Sequence, residues 1–176
     1  QLYVSNPRKS LSMDYRIPKA NPLNDFLNYR ISAIQTEENQ TASENMTFEI
    51  LRQWGAEDAE DWDKIGFLRL ENETFTQGLQ DEQTTKLIMP GFTYTRIRKQ
   101  GDIFVNWGDL QLLTIQGASK SLLSDIDFFK VLAKTKWIRE YGMHQITLRA
   151  DAGAIATNNF TRVPSSHRFF TGGDQS

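Results

Sequence analysis

The regular alternation of apolar and polar residues constrains the fold of this chain more than any other feature. The first clear case sets Leu11, Met13, Tyr15 and Ile17 against Ser12, Asp14 and Arg16. About eight segments of roughly ten residues follow the same period of two, which is the period of a β-strand with one apolar and one polar face. The chain is therefore predicted to be all-β.

The polar side of these segments carries most of the charge that the strands contain. Among the charged residues on it are seven that are predicted to face inwards: Arg16, Arg30, Arg69, Glu71, Lys134, Arg149 and Asp151. Two segments are less regular. The fifth, residues 86–97, contains Pro90-Gly91, which predicts a bulge or a bend. The sixth, residues 110–116, has apolar residues on both faces, so its phase is not set by the pattern.

The lysines of the seventh segment decide which face could meet lipid. A lysine facing lipid at the middle of a bilayer costs about 2–4 kcal/mol, so Lys130, Lys134 and Lys136 together would cost as much as a domain's whole stability. They are expected to face a wet interior. The pattern fits an antiparallel transmembrane β-barrel, but a soluble barrel with an apolar interior and charges outside has the same alternation, so the pattern alone does not separate the two.

The connections between segments alternate in length, as they do in outer-membrane barrels. Compact connections near Pro18, Gly55 and Gly142 alternate with longer polar ones at residues 36–45, near Gly78 and near Gly117. Residues 99–109 are an exception, since a short connection is expected there. The alternation assigns the short turns to the periplasmic side and predicts an outward loop after Ala156.

The four tryptophans all fall near strand ends on the predicted periplasmic side. Trp54, Trp62, Trp107 and Trp137 are therefore expected to form part of an interfacial aromatic girdle. The alternative is that they cap the core of a soluble β-sandwich.

Composition excludes several kinds of chemistry. The chain has no cysteine and a net charge of -2, and no apolar run reaches the length of a spanning helix. The acidic residues 57–63 are interpreted as a solvated turn, since they lack the spacing of a calcium loop. Glu71 and Glu73 are spaced as on any polar strand face, which outweighs a glycosidase pair. His144 has no second ligand nearby and His167 is expected to face solvent, so no metal, cofactor or catalytic residue is predicted.

The last nine residues carry the most specific motif, Arg168-Phe169-Phe170-Thr171-Gly172-Gly173-Asp174-Gln175-Ser176. It resembles the start of the conserved motif in the long sixth surface loop of the Omp85 superfamily. Within that superfamily the chain is most similar to the TamA family, through short matches in order along the sequence: Asp14-Tyr15-Arg16-Ile17-Pro18, Asn21-Pro22-Leu23, Phe75-Thr76-Gln77-Gly78, Pro90-Gly91, Trp107-Gly108-Asp109, Ser124-Asp125-Ile126-Asp127-Phe128 and Trp137-Ile138-Arg139.

This resemblance implies an internal part of a longer protein with a sixteen-stranded barrel. Residues 1–156 would hold about eight of its strands, and residues 157–176 would begin the sixth loop, while the remaining strands and the POTRA domains would lie outside this chain. The loop would fold back into the barrel lumen, with Arg168, Phe169, Phe170, Gly172, Gly173 and Asp174 as its motif positions.

The functional implication is a non-enzymatic component of the outer membrane of a Gram-negative bacterium. Such proteins insert or assemble other outer-membrane proteins, such as autotransporters. The implied partners are outer-membrane lipid, unfolded outer-membrane proteins and an inner-membrane-anchored TamB-like protein reached through the POTRA domains, with no nucleic acid. Two alternatives remain at this point: a two-partner-secretion translocator of the same superfamily, and a soluble β-barrel that binds a small ligand.

Overall fold

A computed structural model describes residues 9–19, 21, 24–38, 41–55, 62–77, 82–101 and 105–168. These residues form eight β-strands: β1 (Lys9–Pro18), β2 (Asp25–Glu38), β3 (Thr41–Trp54), β4 (Asp63–Gln77), β5 (Gln83–Gln100), β6 (Trp107–Ala118), β7 (Phe128–Tyr141) and β8 (His144–Thr157). The helical elements of the described residues are three 3-10 turns, at Lys120–Leu122, Phe160–Arg162 and Ser165–His167. None of the helices found there is long and apolar enough to cross a membrane.

All eight strands belong to one antiparallel sheet, and each strand pairs with its neighbours in sequence. The prediction of an all-β antiparallel fold is therefore confirmed. β1 and β8 are the two edges of the sheet, and in the part of the chain that the structure describes they do not pair with each other. The sheet is thus open in this structure.

The strand registers place successive residues of each strand on opposite faces of the sheet. We call the face that carries Glu71 the inner face and the opposite one the outer face. A cavity of about 640 Å³ over the inner face is lined by residues from β2, β3, β4, β6 and β7. In a flat sheet, β2 and β7 would lie about 24 Å apart. The shared cavity therefore shows that the sheet curves around its inner face.

The packed core lies on the inner face near one end of the sheet. It consists of strand residues and of residues from the segments that follow β6 and β8: Leu87, Met89, Ala118, Ile126, Phe128 and Val163, with Ile155 packed against them. The outer face, in contrast, leaves many large apolar side chains exposed, among them Leu11, Met13, Ile31, Met46, Phe92 and Leu148.

Several strands are longer than their alternation predicts. Residues 36–45 were predicted as a loop, but β2 continues to Glu38 and β3 begins at Thr41. β6 extends beyond residues 110–116 at both ends. β5 continues to Gln100, so the connection predicted at residues 99–109 shrinks to residues 101–106. In these strands the backbone hydrogen bonds to the neighbouring strands continue beyond the last apolar residue of the alternating pattern. The predicted alternation of compact and longer connections is wrong, because the long connection predicted at residues 36–45 spans only residues 39–40, whereas the compact one near Gly55 spans residues 55–62.

Pro90-Gly91 was expected to cause a bulge or a bend, but the β4–β5 register runs through it without an inserted residue. The pairing of β5 with β6 begins only at Gly91. On that side, the N–H groups of Lys86 and Ile88 are instead bonded by Asp125 Oδ2 and Ser124 Oγ, at 2.8 and 2.9 Å. Pro90 therefore falls where the ladder with β6 ends, and its missing N–H leaves no ladder bond unmade.

Two glycines of this ladder are each covered by an aromatic ring. Gly91 lies opposite Phe67 on the inner face, and Gly66 lies opposite Phe92 on the outer face. A Cβ added to Gly91 would meet Phe67 Cζ at 2.3 Å, whereas one added to Gly66 would meet Trp54 and Phe92 at 3.1 and 3.2 Å. Glycine is therefore required at position 91 so that Phe67 can lie flat against the strand.

Candidate functional site

The residues that follow β8 return across the inner face and bind to it. His167, which was expected to face solvent, is 5% exposed, so that prediction is wrong. Its Nε2 lies 3.0 Å from Glu71 Oε2 on β4, and its Nδ1 lies 3.4 Å from Gln116 Nε2 on β6. A neutral imidazole protonated at Nε2 satisfies both contacts, by donating to the carboxylate and accepting from the amide.

Ser166 makes a second attachment beside His167. Its hydroxyl donates to Glu73 Oε2 at 2.7 Å, and Asn45 Nδ2 donates to Glu71 Oε1 and Glu73 Oε2 at 2.8 and 3.0 Å. Glu73 is 1% exposed. Burying a carboxylate is costly unless hydrogen-bond donors surround it. Here the donors are the Asn45 amide on β3 and the side chains of Ser166 and His167 in the returning segment.

β7 holds the backbone of the same segment. Lys130 Nζ donates to the carbonyl oxygen of His167 at 2.9 Å, and the Phe128 ring packs against the imidazole with 5.5 Å between centroids. We call Asn45, Glu71, Glu73, Gln116, Lys130, Ser166 and His167 the inner-face latch. It joins β3, β4, β6 and β7 to one short segment.

The cavity beside the latch has balanced charges. Its lining includes three cations, Arg30, Arg69 and Lys130, and three carboxylates, Glu49, Glu71 and Glu73. Arg69 binds Glu49 through Nε and Nη2, at 2.8 and 2.6 Å. The lining of this cavity is therefore polar with balanced charges, and it is unlike the apolar pocket of a small-ligand barrel.

Arg168 is the one loop-motif position that the structure describes. Its Nε and Nη2 donate to the carbonyl oxygens of Val163 and Thr161, both at 2.8 Å. Its guanidinium also lies over the rings of Phe75 and Phe160. These contacts brace the returning segment over β4. Phe169, Phe170, Gly172, Gly173 and Asp174 lie outside the described residues.

Apart from the latch, the segment between β6 and β7 also binds the chain that follows β8. Asp127 Oδ1 accepts from Ser119 Oγ and from the Lys120 N–H, at 3.0 and 2.9 Å. Asp127 Oδ2 accepts from Asn158 Nδ2 at 2.9 Å. The donors from Ser119 and Lys120 lower the pKa of the Asp127 carboxyl. Asp127 thus links residues 119–127 to the first residue after β8.

The seven charged residues assigned to the polar side all lie on the inner face, but only some are brought together. Glu71 belongs to the latch, and Arg69 lines the cavity beside it. Arg30 pairs with Asp14 at 2.8 Å near the β1 edge, and Arg149 pairs with Asp151 at 2.9 Å on β8, with Lys134 opposite Asp151 in the register. Arg16 stacks over the Phe26 ring instead.

The four tryptophans share the other end of the sheet. Trp54 ends β3, Trp62 directly precedes β4, Trp107 begins β6 and Trp137 lies near the end of β7. Arginines stack on three of these rings: Arg52 on Trp54, Arg96 on Trp62, and both Arg98 and Arg139 on Trp107. This end therefore carries an aromatic and basic band on the outer face, far along the strands from the latch.

The geometry of the latch is that of an attachment and not of an acid–base pair. Both carboxylates accept hydrogen bonds from side chains of the chain itself, and the returning segment covers them. Across the described ranges, no group of three or more His, Asp or Glu side chains is placed to hold a metal ion. No protein-family model matches the chain. What the fold and site define is a curved antiparallel meander whose polar inner face binds the segment that follows its last strand.

Proposed function

We propose that this chain is part of an outer-membrane β-barrel of the Omp85 type, similar to the TamA family, which inserts or assembles other outer-membrane proteins. The observation that carries the proposal is the sidedness of the sheet. Large apolar side chains are exposed on the outer face, while paired charges and a returning chain segment occupy the inner face. A soluble ligand-binding barrel requires the reverse arrangement.

The spacing of outer-face charges on β5 supports a membrane-spanning strand. Between Lys86 and Arg96 the outer positions are Ile88, Pro90, Phe92 and Tyr94. This stretch measures about 34 Å along the strand, or about 26 Å for a tilt of roughly 40°, which is close to the apolar band of about 25 Å around an outer-membrane barrel.

The open edges and the latch also fit this proposal. β1 and β8 each present an unpaired side that further strands could continue, and an uncovered edge is otherwise prone to aggregation. The segment after β8 lies inside the curve of the sheet, which is where the resemblance expects the start of the sixth loop. The partner proteins follow from the same resemblance: unfolded outer-membrane proteins, and a TamB-like protein contacted through POTRA domains.

The test uses the complete protein reconstituted into lipid vesicles. An unfolded autotransporter β-domain is added, and its folding is followed by the shift in gel mobility of unheated samples. We expect folding to be several-fold faster than in vesicles that hold an unrelated outer-membrane barrel of equal size.

Equal folding rates in the two kinds of vesicle would rule out the assembly function. A protein that accelerated only one dedicated secreted substrate would instead be a two-partner-secretion translocator. A complete protein that stayed monodisperse in water without detergent would overturn the membrane proposal itself.

A further inference from the structure

A cluster of cations lies on the outer face at the tryptophan end of the sheet. Lys64, Arg96, Arg98 and Arg139, which we call the basic rim, occupy outer positions on β4, β5 and β7. Among the described residues of β4 to β7, Asp109 is the one carboxylate on this part of the outer face, and Arg98 binds it through Nε and Nη2 at 2.9 and 2.7 Å. The rim therefore has an excess of positive charge.

Lys64, Arg96 and Arg139 account for that excess, and the two arginines are the less exposed of the three. Arg96 Nη2 donates to the neutral amide oxygen of Gln111 at 3.0 Å, and Arg96 Nε has no hydrogen-bond partner within the described ranges. Arg139 Nη1 donates to the carbonyl oxygens of Gly108 and Ile138. Neither guanidinium has a carboxylate partner in the described part of the chain.

The rim is continuous with an apolar surface along β5. Beyond Arg98 and Arg96, the next outer positions are Tyr94 and Phe92, which are 36% and 54% exposed. Trp62 and Trp107 lie beside the arginines, with guanidinium-to-ring distances of 4.8 and 5.3 Å. The surface thus changes from cationic to aromatic between Arg98 and Phe92, which are six residues or about 20 Å apart along β5.

We propose that the basic rim binds the phosphodiester of a membrane phospholipid whose acyl chains lie along Tyr94 and Phe92. This proposal rests on the membrane-spanning function proposed above. Guanidinium groups donate two parallel hydrogen bonds to a phosphate, and tryptophan rings collect at the headgroup level of a bilayer. An anion alone would match only the cations, whereas a phospholipid also matches the apolar surface beside them.

The chain itself offers a competing anion. Glu57, Asp58, Glu60 and Asp61 belong to the connection between β3 and β4 at this end of the sheet, and they lie outside the described residues. A carboxylate from that connection could neutralise Arg96. The experiment therefore includes a variant with these four side chains replaced by Gln or Asn.

The test measures phospholipids retained by the complete protein after extraction from vesicles of phosphatidylglycerol and phosphatidylethanolamine, using native mass spectrometry. The test variant is Arg96→Gln/Arg139→Gln. The matched control is Asp25→Asn/Arg52→Gln, which removes another arginine from the tryptophan end of the outer face together with its carboxylate partner, 2.7 Å away. Membrane insertion of each protein is recorded first, by protease protection in the vesicles.

We expect the test variant to insert normally and to retain roughly tenfold less phospholipid, while the control retains as much as the unmodified protein. Normal insertion with equal retention in all three proteins would overturn the site but not the membrane function. Failure of the unmodified protein to insert would overturn both. Retention that appeared only after the acidic residues were neutralised would identify the acidic connection as the occupant. Equal retention of inorganic phosphate without lipid would overturn the choice of a phospholipid.

Discussion

The inner-face latch and the basic rim both contain ionic groups, but they hold them in opposite ways. In the latch, the side chains of Glu71 and His167 are 4% and 6% exposed, and a distant part of the chain supplies the donors. At the rim, Arg98 remains 29% exposed and lies on a tryptophan ring. The charges of the latch are therefore enclosed by protein, whereas the outer face carries its charges towards the two ends of the strands. The position of the charges, more than their number, distinguishes the two faces.

The largest effect is expected from His167→Ala in the latch. It removes the imidazole donor from the buried Glu71 carboxylate and leaves a cavity beside the Phe128 ring, which together cost about 3–5 kcal/mol. The measurement is the free energy of unfolding of the complete protein in detergent, with trypsin cleavage at Arg162 and Arg168 as a local readout. His144→Ala is the control, because that side chain is exposed at the start of β8. Similar values for the two variants would mean that the latch does not hold the segment.

A lysine scan across adjacent residues tests the two faces directly. Ile31 and Ser32 are neighbours on β2, but Ile31 is 57% exposed on the outer face and Ser32 lines the inner cavity. In a bilayer, Ile31→Lys should cost about 2–4 kcal/mol and Ser32→Lys under about 1 kcal/mol. Urea unfolding from lipid vesicles measures both. A larger cost for Ser32→Lys would show that the faces have been assigned the wrong way round.

The two covered glycines provide a comparison with smaller effects. Gly91→Ala should destabilise the protein by about 1–3 kcal/mol, because the new methyl group overlaps the Phe67 ring. Gly66→Ala should cost less, because the new methyl group meets Trp54 and Phe92 at 3.1 and 3.2 Å, tight contacts that a shift of a few tenths of an ångström in the two rings relieves. Thermal unfolding of both variants tests this order. Adding Phe67→Leu should restore part of the loss in Gly91→Ala, and no restoration would exclude the overlap as the cause.

The smallest effect is expected at Asp127, which is only partly buried. Hydrogen bonds from the Lys120 N–H and the Ser119 hydroxyl lower the pKa of the Asp127 carboxyl. The ionised carboxylate therefore stabilises residues 119–127 fully at pH values above its unfolded-state pKa of about 3.9. That contribution is lost as pH falls through the lower folded pKa. The amide shift of ¹⁵N-labelled Lys120 should therefore be constant from pH 7 to about pH 5 and change below about pH 4. Asp127→Asn should abolish that change, and a shift that persisted in this variant would implicate another group.

The sequence was sufficient to predict the strands and most of their faces. In β1, β2 and β8, for example, apolar residues of the outer face alternate along the strand with polar residues of the inner face. That alternation can be read from each segment by itself. In β6 the alternation fails, because Leu110 and Leu112 lie on the inner face while Leu113 and Ile115 lie on the outer face. Pairing with β5 and β7 decides which β6 residues face inwards, and the residues of β6 alone do not show it.

The latch could not be predicted from the sequence for a related reason. His167 and Glu71 are 96 residues apart, and neither has a local pattern that marks it as buried. Glu71 is spaced like any residue of a polar strand face, and Asn45 lies in a stretch so polar that it was predicted to be a loop. Only the curvature of the sheet brings these residues together.

The long separation of Glu71 and His167 also sets the order in which the chain can assemble. Each strand pair closes through a short connection, so the hairpins can form one after another at low cost in chain entropy. The Glu71–His167 contact can form only after β4 to β8 have been laid down and curved. Its formation would therefore mark the completion of this part of the sheet, and a slow final phase in refolding that disappears in His167→Ala would be its kinetic signature.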